Sequence, residues 1–267
     1  MTLAEIKGVL EEKGLRPLKQ LGQNFIFDQN LCQWWVDYVA DSLEGTPELL
    51  EIGPGLGSLT KPLLKKGFKV TAIEKDRGLS AYLREALAES SDFNLVEGDA
   101  LDWLAAEEVL PKVVVGNLPY NVTSPLLTIF FKRLQLPQAM FLLVQKEFGE
   151  RISAPSGDKN FGSLAVLFQT FYKIEKAKKV PPQVFYPKPE VDSLFISMRR
   201  HEKLPLSLDQ ISDYEAMVRK AFSQRRKKLK NLLSIDEERR AEELHLEEWV
   251  PLYLKMESTN KKTAQVR

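Results

Sequence analysis

Asn117-Leu118-Pro119-Tyr120 directly follows the apolar run Val113-Val114-Val115-Gly116. An amide, a turn stiffened by proline and an aromatic ring, projected from the end of a buried strand, suit the holding of an exocyclic amine on a flat heterocycle. The nitrogen of such an amine is a poor nucleophile, because its lone pair is delocalised into the ring. Acceptors for both of its hydrogens, the Asn117 side-chain oxygen and the Leu118 carbonyl, draw it toward tetrahedral geometry and localise the pair. Tyr120 can stack on the ring. With a donor that arrives already activated, transfer to this nitrogen needs positioning and charge complementarity rather than a strong base. Taken alone, the four residues read equally well as a turn after a strand.

A second constellation lies upstream. Glu51-Ile52-Gly53-Pro54-Gly55-Leu56-Gly57 follows an apolar run and precedes a helical pattern. Glycines let a backbone approach a ligand without a Cβ clash. The spacing G-x-G-x-G lacks the third glycine of the dinucleotide fingerprint, and Pro54 removes an amide donor. The loop therefore suits a ligand without phosphates better than a pyrophosphate, which wants helix N-terminal amides. Glu74 ends the next strand, where a carboxylate can accept from both hydroxyls of a ribose. Asp99 ends the third, where it can accept from the amine of an adenine ring. The set fits S-adenosylmethionine as methyl donor, and the acceptor motif then reads as a site for methylating an amino group of adenine.

The elements that must position these residues alternate. A lead-in helix over 1–15 precedes an ordered loop over 16–27, and Asp28 caps a helix reaching about Leu43. Strands are predicted over 47–52, 69–73, 93–96, 112–115 and 139–145, with helices over 59–66, 77–88 and 124–131. This rhythm implies a parallel sheet with helices on both faces. Gly53, Glu74, Asp99 and Asn117 all fall at strand ends, where such sheets bind ligands. After Val180 come a proline-rich loop and a strand over 191–198, and from about Arg200 the pattern turns helical and highly charged. The expected fold is α/β: a Rossmann-like S-adenosylmethionine-dependent methyltransferase sheet over 1–199, with a small C-terminal helical domain over 200–267.

Composition narrows the classes. Of 267 residues, 43% are hydrophobic and 28% charged, with a net charge of +1, so the whole molecule is no generic polyanion binder and any nucleic-acid surface must be local. The single cysteine, Cys32, excludes an intrachain disulfide or cysteine-based zinc site, and reads as a buried structural thiol. His201 and His245 lie outside the motif-rich region and are expected at the surface, which disfavours a histidine base or metal ligand. No signal peptide or membrane-spanning run is evident. We expect a cytoplasmic monomer that uses no metal and binds no membrane.

Beyond these readings, the chain resembles the ribosomal RNA adenine N6,N6-dimethyltransferases, in particular their bacterial small-subunit branch. The resemblance runs from about Lys19 to Leu232. It is carried by L-G-Q-N-F-I, E-I-G-P-G-L-G-S-L-T, A-I-E-K-D, E-G-D-A-L, G-N-L-P-Y-N-V-T-S-P-L-L, V-Q-K-E, V-P-P-Q-V-F-Y-P-K-P-E-V-D-S and F-S-Q-R-R-K-K-L-K-N-L-L. It implies S-adenosylmethionine contacts at Asn24, Ile26, Gly53, Glu74, Asp99 and Asn117, with Gly55 in the same loop. It also implies that Phe185 stacks on the target base opposite Tyr120; from the residues alone, Phe185 reads equally as a core residue between prolines. Ile26 departs from the family's more frequent leucine, which leaves a backbone contact intact.

The implied substrate is a pair of adjacent adenosines in a 3′-terminal hairpin loop of the 16S RNA of the small ribosomal subunit, each receiving two methyl groups. The densest basic cluster, Arg225-Arg226-Lys227-Lys228, fits phosphate contacts that position RNA. Its other reading is a solvated helix face balanced by Asp236, Glu237 and Glu238. Rival functions are a large-subunit RNA adenine methyltransferase conferring antibiotic resistance, a DNA adenine methyltransferase, and a mainly non-catalytic ribosome-assembly factor. The leucine at the second position of N-L-P-Y opposes the first two, and an intact acceptor motif opposes the third.

Overall fold

The structure, a computed structural model, describes all residues except Tyr120, Asn121, Leu134, Val266 and Arg267, and the backbone alone over 260–265. In chain order its main elements are α1 (Leu3–Glu12), β1 (Phe25–Ile26), α2 (Gln29–Asp41), β2 (Leu49–Ile52), α3 (Thr60–Lys65), β3 (Val70–Glu74), α4 (Arg77–Ala86), β4 (Phe93–Glu97), α5 (Ala100–Ala106) and β5 (Val113–Asn117). They continue with α6 (Thr123–Lys132), β6 (Ala139–Gln145), α7 (Lys146–Ile152), α8 (Ser163–Phe171), β7 (Tyr172–Val180), β8 (Phe185–Tyr186), β9 (Ser193–Arg200), α9 (Ile211–Phe222), α10 (Leu229–Leu233) and α11 (Trp249–Gln265). The chain forms two compact units: Met1–Lys146 with Lys176–Met198, and Glu147–Glu175 with Arg199–Arg267.

A seven-stranded sheet has the order β4-β3-β2-β5-β6-β9-β7. β2 pairs in parallel with β3 on one side and β5 on the other, and β4 and β6 extend the parallel set. The connections leaving β2 and β5 therefore diverge, opening a crevice beyond the carboxyl ends of these two strands. β2, β3, β5 and β6 are buried almost without interruption, as strands covered on both faces must be. On one face Leu49, Val70, Val113, Val115, Phe141 and Leu143 pack with Trp35, Val36 and Val39 of α2 and Leu63 of α3. Asp28 starts α2 by accepting from the Leu31 amide at 3.0 Å. Cys32 is buried on that helix, and desolvation pushes its thiol up to about 11.

A feature with no clear trace in the hydrophobic pattern is a two-stranded antiparallel ribbon of β1 with β8, pairing Phe25 with Tyr186 and Ile26 with Phe185. It is prolonged by Phe27 N–H donating to the Val184 carbonyl at 3.0 Å. The helix α5 after Asp99 and the strand β7 also lie outside the sequence expectation. The sequence of β7, Y-K-I-E-K-A-K-K-V, is charged because the strand occupies a sheet edge, where lysines discourage further pairing.

In the second unit α8 packs beside α9, with Phe171 meeting Tyr214 edge-on at 6.0 Å and Thr170 Oγ1 2.8 Å from the Tyr214 hydroxyl. Phe222 stacks on Trp249 at 5.3 Å. The sequence pattern places one boundary at 199/200. Contacts group Glu147–Glu175 with the C-terminal segment, because the apolar α8 shares this aromatic core. His245 is exposed, and half-buried His201 has Nε2 3.2 Å from the Gln169 carbonyl. Among the described residues no helix is long and apolar enough to cross a membrane.

Gly116 sits where β5 meets β2, and a Cβ there would lie 2.7 Å from the Ile52 carbonyl oxygen. Backbone bounds the gap, so Gly116→Ala should lower stability by about 1–3 kcal/mol. Urea unfolding checks this, and an unchanged midpoint would contradict the packing described.

Candidate active site

The crevice is lined by the 20–25 loop and by Gly53, Gly55, Glu74, Asp99, Asn117 and Pro119. Gly53 and Gly55 have φ of +70° and +60°, a region that side chains disfavour. A Cβ at Gly53 would meet nothing within 4 Å, so the space above the loop is open, whereas one at Gly55 would press on the Phe25 ring at 3.1 Å. Glu74 reaches back under this loop. Its Oε2 accepts from Gly55 N–H at 3.0 Å and its Oε1 from Asp76 N–H at 2.9 Å. Burial raises the Glu74 pKa, and the two amides oppose that rise.

Asp99 caps α5, its Oδ1 accepting from Leu101 N–H at 2.8 Å, and its Oδ2 lies 2.6 Å from Lys75 Nζ. The ammonium beside it holds the Asp99 carboxyl below the usual range. At the crevice edge the 20–25 loop is clamped twice by side chains. Gln23 Nε2 donates to Asp76 Oδ2 at 2.9 Å, and Asn117 Nδ2 donates to the Asn24 carbonyl at 2.9 Å. Since an amide presents one donor group and one acceptor, engaging Nδ2 fixes where Oδ1 sits.

The turn after Asn117 is tied on each side. Leu118 N–H donates to the Leu143 carbonyl at 3.0 Å, and the Pro119 carbonyl accepts from Val122 N–H at 3.2 Å and Thr123 Oγ1 at 3.0 Å. Tyr120 lies outside the described residues. The structure thus gathers Asn24, Gly53, Gly55, Glu74, Asp99, Asn117 and Pro119 around one crevice. Ile26 is buried in β1, and Leu118 is buried after β5.

Phe185 is 2% exposed and packs in the core formed with α2 and the sheet, next to Ile26. This placement gives the ring a packing role and leaves its face closed to a base. Of the basic cluster, Lys228 pairs with Glu238 at 2.7 Å, and Arg225 Nη2 donates to the Lys159 and Phe161 carbonyls, each at 3.2 Å. Arg226 and Lys227 are exposed and have no such partner among the described residues.

Sequence reasoning passed over Glu51, the first residue of the glycine motif, as a site in its own right. It is 2% exposed, and Glu51 Oε2, Ser58 Oγ and Thr60 Oγ1 are buried without hydrogen-bond partners. Burial pushes the Glu51 carboxyl up to about 8; the Thr60 hydroxyl nearby lowers it, though without a well-formed hydrogen bond, and Glu74 raises it. Its signal was available: an acid inside an apolar strand, L-L-E-I, must be either neutral or partnered.

The sheet and its crevice are Rossmann-like, and the family and relatives that the chain matches make it an S-adenosylmethionine-dependent methyltransferase. Two solved structures share the fold: a dimethyladenosine transferase from Plasmodium falciparum, with a TM-score of 0.77 at 23% identity over 88% of this chain and 98% of that one, and the 23S rRNA methyltransferase ErmE, with 0.67 at 24% over 88% and 100%. The family pattern of ribosomal RNA adenine dimethylases matches residues 15–265. Proteins named ribosomal RNA small subunit methyltransferase A are 36% identical in Hahella chejuensis, over 90% of this chain and 93% of that protein, and 38% identical in Moorella thermoacetica, over 91% and 94%. The chain belongs to the ribosomal RNA adenine dimethylase family.

Two predictions follow from burial. Phe185→Ala should destabilise the fold by about 3–5 kcal/mol, as for other buried aromatics, read by chemical denaturation; a loss below 1 kcal/mol would mean that the ring is not a core residue. For Glu51 the folded pKa lies above the ordinary 4.5. Its contribution to stability is therefore fully present below about 4.5 and is lost as the pH rises through about 8. Glu51→Gln should raise Tm relative to the parent at pH 9 more than at pH 6, and an equal shift at both would refute the burial of a titrating carboxyl.

Proposed function

We propose that the chain transfers methyl groups from S-adenosylmethionine to N6 of two adjacent adenosines in a 3′-terminal hairpin loop of small-subunit (16S) ribosomal RNA, giving dimethyladenosines during small-subunit biogenesis. Membership of the family and the names of the relatives support the substrate class. The observation that carries the chemistry is the 2.9 Å bond from Asn117 Nδ2 to the Asn24 carbonyl, which turns the amide so that Oδ1 is its remaining polar end.

The residues of the crevice fit the donor. Open space over Gly53, where even a Cβ would meet nothing, leaves room for a ligand against the backbone. Glu74, buried at the crevice wall, keeps acceptor capacity on both oxygens for ribose hydroxyls, since each carboxylate oxygen accepts more than one bond. Asp99, held ionised by Lys75, offers an acceptor to an adenine amine. Asn24 and Ile26 contribute through their backbone. When bound, the donor supplies an electrophilic methyl group on a sulfonium.

The chain's own work is then to shape the acceptor nitrogen. Asn117 Oδ1 accepts one hydrogen of the adenine amine. For the second, the Pro119 carbonyl is already engaged by Val122 and Thr123, which leaves the Leu118 carbonyl as the acceptor nearest in the chain. The pair localises the lone pair on nitrogen, and the proton released after transfer passes to solvent. Tyr120 stacks on the base. Any stacking by Phe185 requires its ring to turn out of the core that buries it. Arg226 and Lys227 are the cations of the basic cluster best placed to meet RNA phosphates.

The test combines labelled S-adenosylmethionine, unmethylated small ribosomal subunits and mapping of modified nucleotides. The parent should give dimethyladenosine in small-subunit RNA. Asn117→Ala should lower the rate on the order of 10²–10³-fold, the usual effect of removing one positioned polar group. Asn117→Asp, which keeps an acceptor but loses the donor to Asn24, should fall nearly as far. Label appearing only in large-subunit RNA would overturn the substrate assignment.

A further inference from the structure

A separate pocket lies wholly within the second unit, formed by α7, the loop before α8, the first turn of α8 and the end of α9. It measures about 360 Å³, and Arg151, Lys159, Arg225, Ser163, Phe222 and Glu147 are among its lining. Three basic residues thus line one concavity together with a single acidic one. Several other cations of the unit are matched: Lys228 and Lys230 both meet Glu238, Arg239 meets Glu237 and Glu248, and Arg219 meets Glu215. In the pocket, by contrast, the side chains of Arg151 and Lys159 have no ion-pair or hydrogen-bond partner among the described residues. Holding unmatched like charges together is unfavourable unless an anion joins them.

Arg225 is preset for such an anion. Its Nη2 donates to the carbonyls of Lys159 and Phe161. The guanidinium is thereby anchored at one corner and keeps its other N–H groups for a ligand. The cap of α8 is Gly162, which has no side chain to occupy the first amides of the helix, and Gly162, Ser163, Leu164 and Ala165 line the pocket, so the positive end of the helix adds to its charge.

We propose that this pocket binds a phosphate of the RNA backbone. Guanidinium forks match the paired oxygens of a phosphodiester, and Phe222 offers an apolar wall to an adjoining sugar or base. The inference rests on the RNA substrate proposed above. It adds a contact point that the consecutive basic run at 225–228 did not reveal, because Arg151 and Lys159 are distant in sequence and meet Arg225 only in the fold.

The test uses the full chain and the double variant Arg151→Ala/Lys159→Ala, whose altered side chains are exposed and outside the crevice. Binding of a fluorescent hairpin RNA with the small-subunit 3′-terminal sequence is followed across a KCl series, with methyl transfer measured in parallel. We expect the variant to keep the parental Tm, S-adenosylmethionine affinity and kcat, to raise KM for RNA about 10-fold, and to lose about one unit from the slope of log K against log salt. An unchanged slope and KM would overturn the proposal. So would protection of the pocket by inorganic phosphate, seen in arginine side-chain NMR, with RNA binding unaltered, since that marks a free-anion site only. If the parent methylates no RNA, the function reading fails; if it does and the variant binds RNA identically, only the pocket assignment fails.

Discussion

The crevice depends on one hydrogen bond, between the side chain of Asn117 and the main chain at Asn24. It joins the end of a central strand to a loop 93 residues earlier, and it fixes the orientation of the amide proposed to meet the substrate. An amide cannot rotate one half without the other. Any change that frees the Asn24 carbonyl also releases Oδ1, and leaves a partly buried acceptor unpaired, which costs about 1–3 kcal/mol. The rest of the site holds this bond in register. Leu118 is tied to β6, Gln23 is tied to Asp76, and β1 is zipped to β8. Two of the segments that carry the family resemblance, L-G-Q-N-F-I and V-F-Y-P-K-P, are therefore partners in a ribbon whose first half is part of the loop over the strand ends.

Electrostatics grade across the same strand ends. Glu51 and Glu74 lie under the glycine loop, where burial favours their neutral forms. Asp99, at the end of the next connection, is half-exposed and kept anionic by Lys75. The acids nearest the sheet axis are therefore acceptors whose charge is costly, and the peripheral one is an acceptor whose charge is cheap. A ligand that brings a positive centre and hydroxyl donors relieves the first pair, which agrees with a sulfonium donor carrying a ribose. A polyphosphate would meet the opposite arrangement, consistent with the missing third glycine of the dinucleotide fingerprint.

Much of this was legible in the amino-acid order, for definable reasons. The strand ends could be read because buried parallel strands are near-continuous apolar runs and the next polar residue marks the exit; Asn117 after V-V-V-G is the plainest case. The ribbon could not, since two-residue strands carry no periodicity and the partners are about 160 residues apart. Phe185 illustrates a different limit. A motif assigns its identity, but whether the ring faces a base or the core depends on the register with Ile26. The grouping of 147–175 with the C-terminal segment was also hidden, because α8 is apolar enough to belong to either core until its contacts with α9 are known.

Charge gives the last lesson. A chain with a net charge of +1 looks poorly suited to a polyanion, and its basic run at 225–228 is flanked by acids. The structure shows that this balance is local. Glu238 engages Lys228 and Lys230, whereas Arg225 meets only main-chain carbonyls, through Nη2, and keeps its charge. Ion pairs within the protein leave fewer charges to displace counterions from RNA, so the phosphate affinity of a surface follows its unmatched cations rather than its sum. By that measure Arg225, Arg226, Lys227, Arg151 and Lys159 count for more than the density of lysines along the chain. A near-neutral protein can then bind RNA at chosen points while resisting indiscriminate attachment along its length.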